Sequence, residues 1–223
     1  MFKLPAKMNL NRLTVAVMLI IIGTCGRILL ISYANIETVL AIALLSGVIL
    51  GGYYCIAVPL SVMLISDWWI YTYTDHVGYF GIWAIIGLTF FTWTGYIMIG
   101  IIGRFIKPRI AYTVKGVAVI TGTGLVVTII YDLWTVIGYW IFLTPATTNS
   151  LITVLIMQAP FTVYHLMSSL IFVPLFGTLF MYLHEHGVPF LGAFSRPSRE
   201  RDEAIGYWGM DFMSAKVKGG MEQ

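Results

Sequence analysis

Apolar residues in this chain come in long unbroken blocks, separated by short polar or glycine-rich breaks. Neither the alternation of a half-buried strand nor the narrow stripe of a surface helix describes them. A helix needs about 20 mostly apolar residues to cross roughly 30 Å of hydrocarbon. Six blocks can be cut, near 13–32, 37–50, 53–70, 80–102, 113–142 and 150–183. The second and third are short and divided only by Gly51-Gly52, which predicts a tight helical hairpin. The fifth and sixth exceed what a bilayer requires, so tilt, a kink or extension beyond the lipid is expected. Pro160 and Pro174 mark kink sites in the sixth, because proline removes a backbone donor and clashes with the preceding turn.

Composition agrees with a life in lipid. Of 223 residues, 59% are hydrophobic and 10% charged, against about 25% charged in soluble domains. The expectation is an all-α membrane protein of six transmembrane helices, residues 1–183, followed by a tail at 184–223. Lys3, Lys7 and Arg12 before the first block loosely resemble a secretory signal, but the apolar run is longer than the 7 to 15 residues of a signal core. Lys and Arg set orientation. With six spans, the first residues, the loop holding Arg104, Lys107, Arg109 and Lys115, and the tail share one side. That places 12 of the 13 basic residues, and both termini, in the cytoplasm; Arg27 is the exception. The net charge of +3 is therefore a topology signal, and no nucleic-acid partner is expected. Cys25 and Cys55 fall at different depths, too far apart for a disulfide.

The polar residues inside the blocks gather toward the outer leaflet: Arg27 in helix 1, Asn35 and Glu37 before helix 2, Asp67 near the end of helix 3, Asp132 in helix 5, and Gln158 and His165 in helix 6. A charge facing lipid at a helix centre costs on the order of 2.5 to 3.5 kcal/mol even on lenient scales, so such groups face the bundle interior and pair. An outward-facing polar pocket accounts for the clustering. Trp68, Trp69, Tyr71, Tyr73, Trp83, Trp134, Tyr139 and Trp140 lie at the same depth. They fit either an interfacial aromatic belt or a wall that stacks on a flat ligand or cages a cation. Asp132, Thr135 and Tyr139 fall three and four residues apart, on one helical face. Glu37, Asp67 and Asp132 outnumber Arg27, leaving the outer half formally negative by two, which suits a cationic or donor-rich flat molecule such as a thiamin-like or amine-bearing ring. An Arg27–carboxylate pair and a protonated second carboxyl would leave it nearly neutral.

An apolar helix 1 ending in "GRILL", then "YANIETVLAIALLSGVILGGYYCIAVPLSVMLISDWW", and later "YDLWTVIGYW" and "QAPFTVYHLMSSLIFVPLFGTLF", resembles the substrate-binding (S) subunit of energy-coupling-factor (ECF) vitamin transporters over roughly 13–183. The shared features are an arginine in the first helix, an asparagine with acidic neighbours opening the second, a glycine hairpin, a proline followed by an apolar run and an aspartate, and a "PF" before a polar patch. The resemblance implies a non-enzymatic six-helix bundle in the plasma membrane of a prokaryote. It would bind a vitamin or related micronutrient near the outer face and work with a transmembrane coupling subunit and two cytoplasmic ATPases. Carried over by position, it implies Arg27, Asn35, Glu37, Asp67, Trp68, Asp132 and His165 as substrate-binding residues, with no catalytic residue, metal or cofactor. No Walker motif is present, so ATP hydrolysis would belong to partners.

Two features depart from that family. Its helix 1 commonly docks through Ala-xxx-Ala, whereas here Ala16 is followed by Ile20, and only Gly23 and Gly26 add small residues. The tail "RPSRERDEAIGYWGMDFMSAKVKGG" places charges before an apolar cluster, which fits a solvated tail, an interfacial amphipathic helix after Pro197 or a partner-binding patch. The rival reading is an accessory subunit of a larger membrane complex that reuses the fold. His184-Glu185-His186 is a weak metal motif, since residues two apart do not share a helix face, and Asp75-His76 reads as a polar turn. His165 with Ser168 or Ser169 is spaced for a hydrolase pair but lacks an oxyanion site.

Overall fold

The computed structural model describes residues 10–33, 35–74, 81–111, 113–143 and 150–186. Among them every regular element is helical: α1 (Leu10–Leu29), α2 (Val39–Leu45), α3 (Tyr54–Tyr73), α4 (Ile82–Ile106), α5 (Val114–Phe142) and α6 (Leu151–His186). The chain divides into two compact units, Met1–Met181 and Tyr182–Gln223; the described part of the second is the end of α6. Five helices are long and apolar enough to cross a membrane, so the protein is a multi-pass membrane protein.

The expected second span is different. Val39–Leu50 is a short apolar helix, α2 extended by a wider turn at Ser46–Leu50 in which Gly51 N–H donates to the Ser46 carbonyl five residues back. At 1.5 Å per residue it is about 18 Å long, well under the hydrocarbon thickness. Each of its residues is buried by protein. A run that is apolar all round belongs inside a bundle as readily as in lipid. Gly51 and Gly52 end it at φ 65° and 58°, backbone that only glycine adopts without strain. Lys107, expected as a loop charge, reaches into this end: its Nζ donates to the Ile49 and Leu50 carbonyls at 2.5 and 3.0 Å, satisfying groups a helix terminus leaves open.

Near Lys107 the helices close on one another through glycine. Pro59 has no N–H for the Cys55 carbonyl four residues back, and that carbonyl lies against Gly100 of α4. A Cβ at Gly100 would strike it; one at Gly103 would strike the Leu44 carbonyl, and one at Gly47 the Gly100 carbonyl. α4 and α5 pack as rings into sockets, with Phe142 over Gly87, Phe91 over Gly138 and Tyr131 over Gly95. α5 and α6 meet at steps of four on both helices: Gly124 against Val173, Thr128 Oγ1 2.7 Å from Ser169 Oγ, and Asp132 against His165. α6 runs as one helix through Pro160 and Pro174; its 36 residues make about 54 Å, more than a perpendicular crossing needs.

On α1, Gly23 and Gly26 face inward, against Val62 and Ile42 and against Thr38. These small residues serve internal packing.

Gly100→Ala is expected to lower the thermal midpoint in detergent sharply, since overpacking costs about 1–3 kcal/mol and here the obstacle is backbone. Gly122→Ala, with nothing within 4 Å of the new Cβ, is the matched control and should leave the midpoint unchanged or slightly raised.

Candidate functional site

α2 begins only at Val39, so the bundle end away from Lys107 lacks the central helix that fills the other. α1 is carried over to α2 by successive turns, with Tyr33 N–H bonded to the Leu30 carbonyl at 2.8 Å and Ile36 N–H to the Tyr33 carbonyl at 3.2 Å. Asn35 takes φ 58°, a left-handed conformation its short polar side chain tolerates better than most. Thr38 Oγ1 then donates to the Gly23 carbonyl at 3.2 Å, fixing the start of α2 on α1.

Here a cavity of about 370 Å³ opens, within the size range of small-molecule sites. Arg27, Asn35, Glu37, Asp67, Asp132 and His165 all line it, as do Thr135 and Tyr139 from the polar face of α5. Trp68 does not. It is 63% exposed on the outside of the bundle, because one residue along a helix turns the side chain about 100° away from Asp67. Exposed Tyr73 and Trp83 likewise face outward, as belt residues do.

Two polar clusters form the walls. In the first, Arg27 Nη1 donates to Asp67 Oδ1 at 2.5 Å and to Ser66 Oγ at 2.6 Å, and Trp93 Nε1 donates to Asp67 Oδ2 at 2.6 Å. Asp67, 4% exposed, thus joins α1, α3 and α4, with both oxygens occupied.

The second cluster centres on His165, 2% exposed. Its Nδ1 lies 2.7 Å from Asp132 Oδ1, and its Nε2 faces Glu37 Oε1 at 3.4 Å, an electrostatic contact without hydrogen-bond geometry. Asp132 Oδ2 and His165 Nε2 are buried without a hydrogen-bond partner among the described residues. The Tyr96 hydroxyl donates to Glu37 Oε1. Ser168 Oγ brackets the Glu37 backbone, accepting from its N–H at 3.0 Å and donating to its carbonyl at 2.7 Å. Tyr131 packs edge-on against His165 and lies 4.6 Å from Tyr96, centroid to centroid.

Both serines spaced for a hydrolase pair are engaged elsewhere, Ser168 with Glu37 and Ser169 with Thr128. Among the described residues no group of three His, Cys, Asp or Glu is placed to hold a metal ion. The side chains of His184, Glu185 and His186, and all of Asp75-His76 and the 187–223 tail, lie outside the described residues. Cys25 and Cys55 are free.

Trp93, Tyr96 and Tyr131 were not singled out by the sequence, and Ser168 was considered only as a partner of His165 and not of Glu37. The available signal was a tryptophan and a tyrosine three residues apart in the middle of an apolar block, away from the interface where such residues collect.

Asp67→Asn should destabilise the bundle by about 3–5 kcal/mol, since it strands the Arg27 charge in the interior. The double variant Arg27→Leu/Asp67→Leu should melt closer to wild type than Asp67→Asn does, a comparison that thermal unfolding in one detergent settles.

Comparison with curated proteins and with solved structures returns no match. Residues 7–191 match the model of a family described as a family of unknown function, DUF6580, and the chain belongs to that family.

Proposed function

We propose that this protein is a membrane-embedded substrate-binding subunit of an ECF-type importer, taking up a vitamin or related micronutrient. The observation that supports it is the contrast between the two bundle ends. One is closed by helix backbones in contact at glycine; the other holds a cavity of about 370 Å³ walled by charged, hydroxyl and tyrosine side chains. A bundle under selection for packing alone has no use for a polar hole of that size, because buried polar groups without partners cost stability.

In this reading the chain crosses the plasma membrane of a prokaryote six times, with α2 as the short crossing and both termini in the cytoplasm. The cavity faces outward, and Lys107, Arg104 and Arg109 face the cytoplasm. The ligand is captured by binding alone, and energy for release comes from a transmembrane coupling subunit and two cytoplasmic ATPases. With Gly23 and Gly26 turned inward, the coupling subunit would meet a different face from the small-residue seam of helix 1.

A specific observation favours the rival reading of an accessory subunit in a larger membrane complex. Asp67 is fully occupied by Arg27 and Trp93, so the first cluster holds the bundle together whether or not a ligand arrives.

Native mass spectrometry of the protein gently extracted from its own membranes decides between them. The importer reading expects a retained vitamin-sized molecule, alone or with ATPase partners. A ligand-free chain firmly bound to unrelated membrane subunits would sink it and establish the accessory role.

A further inference from the structure

Three carboxylates line the cavity, and the geometry separates them. Asp67 has both oxygens occupied. Asp132 gives Oδ1 to His165, and its Oδ2 is covered. Glu37 differs from both. Its Oε1 accepts from the Tyr96 hydroxyl and faces His165, while Oε2 has no partner among the described residues. Its side chain keeps 18% of its surface open, in the cavity wall. The carboxylate is also held in place: Ser168 fixes its backbone from both sides, and Tyr96 fixes the oxygen that is not free.

The sign of the site follows from pairing. Arg27 is paired with Asp67 at 2.5 Å and also interacts electrostatically with Glu37. Glu37, His165 and Asp132 remain, two carboxylates with one imidazole between them. By formal count, the three carboxylates of the cavity outnumber Arg27 and a protonated His165 by one. His165 Nε2, buried and without a hydrogen-bond partner among the described residues, lies 3.4 Å from Glu37 Oε1, the oxygen already engaged by Tyr96. Tyr71, Tyr96, Tyr131 and Tyr139 line the same wall, and aromatic rings attract cations.

The structure assigns Glu37 as the anchor for a small organic cation bearing N–H donors, an amine, amidine or aminated ring held against Glu37 Oε2 between tyrosines. This rests on the ligand-binding reading above and names the class of ligand and the residue that selects it. Preorganised carboxylates hold such donors by charge-assisted hydrogen bonds, shorter and stronger than neutral ones.

Three probes of one shape and different charge test it: benzamidine, benzamide and benzoate, titrated by calorimetry against the full chain in lipid nanodiscs. Benzamidine is expected to bind at least about tenfold more tightly than benzamide, the ratio a hydrogen bond to a charged group supports. Benzoate, the probe Arg27 would hold, is expected to bind most weakly. Glu37→Gln preserves an acceptor for Tyr96 and should erase the benzamidine preference over benzamide. Asp132→Asn should keep the preference. If the preference survives in Glu37→Gln and is lost in Asp132→Asn, the assignment of Glu37 is overturned. Benzamide or benzoate binding as tightly as benzamidine would overturn the cationic class while leaving a ligand-binding cavity in place. Binding of none of the three by the folded wild-type protein would overturn both this inference and the ligand-binding reading beneath it.

Discussion

A guanidinium and a carboxylate 2.5 Å apart inside an apolar bundle hold this structure at the end where it is least packed. Neither charge has an acceptable alternative, since a charge turned to lipid at a helix centre costs on the order of 2.5 to 3.5 kcal/mol or more. Arg27 therefore fixes α1 against α3 through Asp67 and Ser66, and Trp93 brings α4 to the same carboxylate. With those three helices in register, Gly26 lies under Thr38 and α2 has a fixed starting point. The position of Glu37, one residue earlier, follows from that. The ion pair acts as a geometric constraint on the site, and because it is internally neutral it leaves the sign of the cavity to other groups.

Space in the bundle is allocated by the length of α2. Over α2 and its wider-turn extension, Val39–Leu50, the surrounding helices close on it completely, helped by glycines that let backbone meet backbone and by Lys107 at its end. Beyond it no central element exists among the described residues, and the helices are held by long polar side chains. Protein interiors are close-packed, so a persistent void of this size needs walls that resist collapse. Arg27, Asp67, Tyr96 and His165 supply them, each tied by directional bonds or contacts to another part of the bundle, with Trp93 bracing Asp67.

The long helices were legible in the sequence because membrane thickness sets the length of an apolar block. Expected spans at 53–70, 113–142 and 150–183 become Tyr54–Tyr73, Val114–Phe142 and Leu151–His186. Val39–Leu50 is less legible, because hydropathy registers removal from water and does not distinguish lipid from protein as the new surroundings. Trp68 was grouped with Asp67 by adjacency, where helical rotation separates them. The carboxylates, Arg27 and His165 stood out as charges or imidazole in apolar surroundings. Tyr96 did not, and Ser168 stood out only beside His165, since a single hydroxyl in a long block acquires meaning only from its partner. For Ser168 that partner is Glu37, 131 residues away, and no local pattern carries such a distance.

Pairing decides which of the visible charges remains available, and it is a property of helix register. Glu37 is joined to α4 by Tyr96 and to α6 by Ser168 and His165, and His165 is joined to α5 by Asp132. Any group that approaches Glu37 Oε2 acts on a carboxylate already in contact with α4 and α6 and linked through His165 to α5. Its binding energy changes the balance of the contacts that hold α4, α5 and α6 in their present arrangement. A ligand shifts conformation only by its differential affinity for the alternatives. A carboxylate that serves at once as cavity wall and as helix contact is where such a difference arises, so occupancy of this cavity and the arrangement of its helices are thermodynamically linked.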